Sequence, residues 1–405
     1  MKIARQASLA VVGVSAMLAA GVVLAQDWPQ WRGPSRDGKA DFVAPAAWPK
    51  ALAEKWRVKV GTGDSSPVLL GDTVYVFARQ GNDEVTLCLN AADGKEIWRD
   101  KNPVPAIAGP ASREHSGPRS TPAVAEGKLV ALGVAGTLSC LDAAKGTVLW
   151  RKDDIKGTPR FFTAMSPLIA EGEVFALLGS EDTGAIVAYD LATGKEKWKL
   201  DGEGPAYASP VLATIDGVKQ LVTLTSKKVV GVSAADGKLL WQIPFVPEGR
   251  AYNAATPIVD GSTVIFSGQG RGTTAVRIEK KGEGFTPTEL WTSQVAVAFC
   301  SPLLKDGLLY GTSDKGELFC LDAKDGKTVW SQAAKLGGYG AMLDVGSAIL
   351  ALPNNGDMIV FKPGREYVEL GRYKVGETGT FACPAVSGNR IFVKDKDNLV
   401  LWAAE

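Results

Sequence analysis

Between Trp98 and Thr121 the chain reads DKNPVPAIAGPASREHSGPRS, which places Arg113, Glu114, His115 and Arg119 within seven positions. His115 is the one histidine among 405 residues, and imidazole is the side chain whose charge changes near neutral pH. A connection of this length inside a compact repeat is usually functional or disordered. The plainer expectation is a lid whose arginines and glutamate pair over an opening. Further polar residues stand shortly before Ser-Pro or Thr-Pro steps: Asp64, Arg160, Tyr207, Arg250, Tyr252 and Asn253. Several cations with one or two carboxylates and aromatic rings suit a small anionic or planar ligand. No Ser-His-Asp order, phosphate-cradling glycine loop or metal-binding histidine cluster occurs, so no catalytic residue and no metal ligand is assigned.

Positioning those residues falls to a repeat. One phrase recurs as NAADGKEIW, DAAKGTVLW, DLATGKEKW, SAADGKLLW and DAKDGKTVW, each with glycine four residues before tryptophan. The pattern predicts a hairpin in which Asp or Asn bonds nearby backbone and glycine supplies a positive φ before the next strand. A second phrase precedes it: SPVL at Ser66, TPAV at Thr121, SPLI at Ser166, SPVL at Ser209, TPIV at Thr256, SPLL at Ser301 and CPAV at Cys383. Proline there fits the first residue of a strand. With two further apolar runs, each unit holds four short strands, which is one propeller blade.

Trp56, Trp98, Trp150, Trp198, Trp241, Trp291 and Trp330 occupy one slot, and Tyr373 is expected to fill the eighth. The large aromatics are read as packing between sheets. The segment KWRVKV around Trp56 precedes the first proline phrase, and the last unit supplies only three strands. The expected fold is therefore an all-β, eight-bladed β-propeller of four-stranded antiparallel blades. Its ring is closed by the N-terminal strand pairing with the C-terminal blade, so that no edge is left open. Blade five carries a longer hairpin, RIEKKGEGFTPTELW, and blade seven lacks both phrases; an irregular seventh segment would leave seven blades.

The first residues read as an export signal. Lys2 and Arg5 precede an uncharged run ending at Val23-Leu24-Ala25, which predicts cleavage after residue 25. The division expected is residues 1–25 signal peptide, 26–54 N-terminal extension and 55–405 propeller, with no transmembrane segment once the signal is removed. The first cysteine is Cys88, so lipid attachment at the cleavage point is not expected, and the destination is periplasmic or secreted. Without Lys2 and Arg5 the chain has 43 basic and 44 acidic residues, which steers it neither to nucleic acid nor to an anionic membrane. Cys88, Cys140 and Cys320 share one repeat position and Cys300 and Cys383 adjoin prolines; buried thiols are expected, with an inter-blade bridge the alternative.

The repeat resembles the pyrroloquinoline-quinone (PQQ) enzyme repeat, matched most fully at Asp190, Thr193, Gly194, Lys195 and Trp198. The opening DWPQWRGPSRDG and the later GPRSTPAV resemble a group of exported bacterial PQQ-like propellers of mostly undefined role. The resemblance implies a fold rather than a cofactor. One branch of that superfamily contains PQQ-dependent alcohol and sugar dehydrogenases, whose quinone and calcium sit over the ring axis beside an Asp base. The other contains a propeller scaffold for outer-membrane protein assembly. The chain lacks adjacent cysteines and any CxxCH. The expectation is an exported, non-catalytic binding or scaffold propeller taking a protein partner or a small anionic ligand. PQQ with calcium in an oxidoreductase is the alternative.

Overall fold

The computed structural model describes residues 27–105, 107, 109, 115–333 and 336–405, so the expected signal peptide, Arg113 and Glu114 lie outside the described residues. Thirty-two strands form eight antiparallel four-stranded sheets. Blades one to seven take consecutive quartets, from β2 (Val68–Leu70) to β5 (Glu96–Pro103) in blade one through β26 (Gly340–Asp344) to β29 (Val368–Lys374) in blade seven. Blade seven is thus a regular blade. Blade eight combines β30 (Ala385–Ser387), β31 (Arg390–Lys394) and β32 (Asn398–Ala403) with β1 (Ala53–Lys59) from the other end of the chain. In that closing pair Trp56 faces Leu401 and Lys59 faces Asn398.

The recurrent Gly-x-x-x-Trp phrase turns out to serve two interfaces. The indole Nε1 groups of Trp56, Trp98, Trp150, Trp198, Trp291 and Trp330 donate to the backbone carbonyls of Ala91, Ala143, Leu191, Ala234, Ala323 and Gly364 in the next blade, at 2.9–3.1 Å. The glycine of each phrase receives the tryptophan of the blade before it. At Gly194, φ is +67° and a Cβ would lie 2.8 Å from the Trp150 ring, so both the turn and the close approach require glycine. Each tryptophan follows a bulge and faces a buried residue on the third strand, which is where Cys88, Cys140 and Cys320 sit. All five cysteines are buried and free.

Two slots differ. Blade five replaces the receiving turn with a long hairpin of β20 (Gly272–Lys281) and β21 (Gly284–Ser293). Trp241 folds back over Gly231 of its own blade and donates to Gln220 Oε1 at 2.7 Å. In blade seven the bulge places Gly371, not Tyr373, at the tryptophan position. Tyr373 stands two residues further on and lays its ring against that glycine. Its hydroxyl donates to Pro49 O at 2.7 Å, because blade eight has no Asp-Gly turn to offer an acceptor.

The serine or threonine before each strand-opening proline builds a second ring nearer the axis. Backbone N–H groups of Cys383, Ser66, Thr121, Ser166 and Thr256 donate to the hydroxyls of Ser66, Thr121, Ser166, Ser209 and Ser301, each in the following blade, at 2.8–3.1 Å. Proline cannot donate, and the residue before it hands its own N–H to the neighbour instead.

Inside that ring lies the segment from Trp28 to Val43, which bonds to all eight blades. Trp28 pairs with Leu69, Pro29 O accepts from Val124 N, Gly38 and Ala40 bond Asp344, and Val43 N donates to Gly388 O, all at 2.8–2.9 Å. Trp31 Nε1 donates to Thr256 Oγ1 at 2.9 Å. Arg32 reaches Pro302 O at 2.7 Å, while Arg36 bonds the carbonyls of Ser166, Pro167 and Pro210. Both guanidinium groups are buried, and desolvation pulls Arg36 down to about 9. A ring of carbonyls, in place of a carboxylate, compensates each charge.

Trp198→Ala should cost about 3–5 kcal/mol, the range for deleting a buried large aromatic, measured by equilibrium denaturation; an unchanged transition would remove the docking role. Arg36→Met should cost at least about 3 kcal/mol, since three buried carbonyls, those of Ser166, Pro167 and Pro210, lose their donor at about 1–3 kcal/mol each. Its thermal transition gives the check.

Candidate functional site

The segment from Trp28 to Val43 acts as a plug that closes the channel part-way and leaves a cavity of about 390 Å³ at one mouth, with Trp31 among its lining residues. The walls follow a register. Asp64, Arg119, Ala164, Tyr207, Ala254, Phe299 and Phe381 each stand three residues before a strand-opening proline, and every one lines the cavity. Blade seven, without that proline, contributes Tyr339 just before β26. One position per repeat therefore points at the axis. The two alanines leave the space that their neighbours enclose.

Aromatic rings form two walls. On one side Tyr252 packs against Tyr207 and Phe161 with centroids 5.0 and 5.3 Å away. On the other, Phe299 and Tyr339 stack in parallel at 4.4 Å, and Phe381 meets Tyr339 edge-on at 5.0 Å. His115 joins this second wall, 4.7 Å from Phe381. All of these rings are half-buried, with faces left to the cavity.

The polar groups sit where blades one and two meet. Asp64 and Ser65 N–H donate to Pro118 O at 2.8 and 3.1 Å, and the hydroxyls of Thr62 and Ser116 are 3.1 Å apart. Gly63 has φ +136°, and a Cβ would lie 2.7 Å from Pro118 O. The stretch from His115 to Arg119 is thus strapped down. It brings His115 Nδ1 to 2.6 Å from Asp64 Oδ2. Arg119 donates to Tyr207 OH at 2.9 Å, to His115 O at 3.2 Å and to Phe161 O. Its Nε is buried and has no partner among the described residues. Tyr207 donates to Phe161 O at 2.6 Å, and burial holds its phenol above the ordinary range, so it stays protonated at neutral pH. Next along the chain from Asp64, Gly63 O accepts from the buried Lys394 at 2.5 Å. Desolvation pulls that ammonium down to about 8.

The cavity brings together Asp64, His115, Arg119, Tyr207, Arg250 and Tyr252 of the residues singled out in the sequence. Arg160 and Asn253 lie elsewhere. Arg160 is exposed, its guanidinium 5.2 Å from the Phe161 ring centre, and its backbone N–H donates to Glu181 Oε1 at 2.7 Å. Asn253 is buried and binds protein on both ends of its amide, giving N–H to Thr225 O and Phe245 O and accepting from Arg271. Trp31, Phe161, Phe299, Tyr339 and Phe381 were not anticipated. The fixed offset from proline would have found Phe299 and Phe381.

A PQQ-calcium pair fits poorly here. Calcium takes about six to eight oxygen ligands, several of them usually carboxylate. Among the described residues the cavity lining holds one carboxylate, Asp64, already bonded to His115. Among the described residues no group of three His, Cys, Asp or Glu side chains is placed to hold a metal ion.

Fold and repeat define an eight-bladed propeller of the PQQ type. Residues 82–332 match the family described as outer membrane protein assembly factor BamB, and the chain belongs to that family. The protein of that name from Burkholderia pseudomallei is 24% identical over 85% of this chain and 86% of its own length. Its counterpart from Xanthomonas campestris is 26% identical over 54% of this chain, which spans 65% of that protein. Among solved structures, BamB from Moraxella catarrhalis has a TM-score of 0.64 at 14% identity, covering 87% of this chain and 98% of that one. The quinohemoprotein alcohol dehydrogenase from Comamonas testosteroni has a TM-score of 0.71 at 15% identity, covering 93% and 80%. At these identities the structural likeness is one of fold alone. Among the described residues no helix is long and apolar enough to cross a membrane.

Asn253→Ala should lower stability by about 1–3 kcal/mol, the cost of stranding buried acceptors, without weakening a ligand held in the cavity. Parallel denaturation and binding measurements on that variant separate the two roles.

Proposed function

We propose that this chain is an exported, periplasmic, non-catalytic binding propeller whose recognition centre is the channel mouth, and that it takes a compact planar anion there. The observation that carries the reading is the inward ring of one residue per blade. It sets two aromatic walls around Arg119 and Arg250, over a channel plugged by Trp31. A blind cavity of this size suits one compact ligand. Aromatic faces accept a planar ring, and among the described lining residues two guanidinium groups against the one carboxylate of Asp64 favour negative charge. The family description, an assembly factor, supports a role in binding rather than turnover. The poor fit to calcium weighs against the quinone oxidoreductase.

Naphthalene-2-carboxylate is a suitable probe, measured by isothermal titration calorimetry. Arg119→Ala combined with Arg250→Ala should weaken it by about a hundredfold or more, from the loss of two charge-assisted bonds worth about 1.5–3 kcal/mol each. Ala254→Trp should exclude it by filling the gap in the ring. Equal affinity in both variants would overturn the site. Reduction of an artificial electron acceptor by protein loaded with PQQ and calcium, with an alcohol as donor, would replace this reading with the oxidoreductase one. A protein partner whose capture ignores both changes would move recognition to the outer rim.

A further inference from the structure

The pairing of His115 with Asp64 has a consequence for what the cavity can hold. A carboxylate accepts hydrogen bonds and cannot donate them. With Asp64 Oδ2 at 2.6 Å, Nδ1 of His115 is therefore the protonated ring nitrogen in both charge states. Everything the imidazole can change lies at Nε2, which forms no hydrogen bond among the described residues while the side chain lines the cavity. In the neutral ring Nε2 is a lone pair, which repels a carboxylate and accepts from a hydroxyl. In the charged ring it is an N–H aimed at an anion.

The groups around the imidazole sharpen this two-way choice. Asp64 comes from the loop after β1, Arg119 holds the carbonyl of His115 at 3.2 Å, and Tyr339 of blade seven stacks 6.1 Å from the ring. Lys394 of β31 bonds Gly63 O, beside Asp64, and Arg250 and Tyr207 complete the polar lining. His115 is thus the group of this cavity that protonation converts from acceptor to donor.

Resting on the anion-binding reading above, we infer that the Asp64–His115 pair makes the channel mouth a proton-coupled anion site, in which each carboxylate enters with one proton that settles on His115 Nε2. Neutral planar alcohols are the complementary class, favoured by the unprotonated ring. The coupling is linkage: where the free protein has lost the imidazole proton and the complex keeps it, affinity falls tenfold per pH unit.

The experiment is calorimetry of naphthalene-2-carboxylate and of 2-naphthylmethanol from pH 5.5 to 8.5, in buffers of different ionisation enthalpy, on protein carrying no histidine tag. The carboxylate should bind with uptake approaching one proton at the upper end, and its Kd should rise tenfold per unit there. The alcohol should hold its affinity or gain as pH rises. His115→Gln keeps a donor that does not titrate, so its carboxylate affinity should be flat up to about pH 7, below the range in which the buried Lys394 beside Asp64 gives up its proton. Asp64→Asn removes the charge that supports imidazolium and should move the parent's transition to lower pH. A parent affinity for the carboxylate that is independent of pH overturns the coupling while leaving the anion site standing. Should neither probe bind at any pH, the anion site itself fails. The pairing is then judged by 15N NMR of the lone histidine, where a neutral ring protonated at Nε2 overturns it as well.

Discussion

Everything in this molecule depends on one blade meeting the next. A four-stranded sheet cannot bury both faces alone, and a ring of such sheets gains nothing until each face has a neighbour. The indole does this work from the outer strand: its ring fills the gap and its N–H finds a carbonyl in the following turn, while that turn's glycine clears room for the ring. The same requirement explains the exceptions. Where blade five has no receiving turn, Trp241 satisfies its N–H within its own sheet. Where blade eight has none, the chain before β1 supplies Pro49 O to Tyr373.

Because the repeat is local, its residues were legible in the sequence. Hairpin glycines, strand-opening prolines and the order of apolar runs are set within about fifty residues, and they were sufficient for eight blades and for closure by β1. Tyr373 misled because it sits two residues past the bulge that defines the slot; spacing along a chain does not register a bulge. The cavity was half legible. Asp64, Arg119 and Tyr207 drew attention as polar groups near prolines, whereas Phe299 and Phe381, at the same offset, carry no polar group and were not singled out. Asn253 was named for polarity and proved to be internally bonded. The plug was not legible, since Arg32 and Arg36 meet partners 130 to 270 positions away, and nothing nearby in sequence signals a carbonyl ring.

Blade packing and recognition are handled by different positions of the same repeat. The tryptophan, the turn glycine and the hydroxyl before proline hold the ring together. The residue three before proline faces the axis and is free to differ, as Asp, Arg, Ala, Tyr and Phe do here. Related propellers can therefore share a fold at 14–15% identity and line their channel mouths with unrelated chemistry.

The plug also bears on the order of assembly. The segment from Trp28 to Val43 precedes every blade in the chain, yet its partners include Gly388 near the far end. It cannot complete its bonds until the last blade exists. A chain of such high contact order closes slowly, and its opening stretch stays exposed while the remaining sheets form. Two tryptophans and two arginines would wait in solvent through that interval, a natural point of contact for a chaperone. The cavity, with Trp31 in its lining, would be among the last features of the protein to come into being.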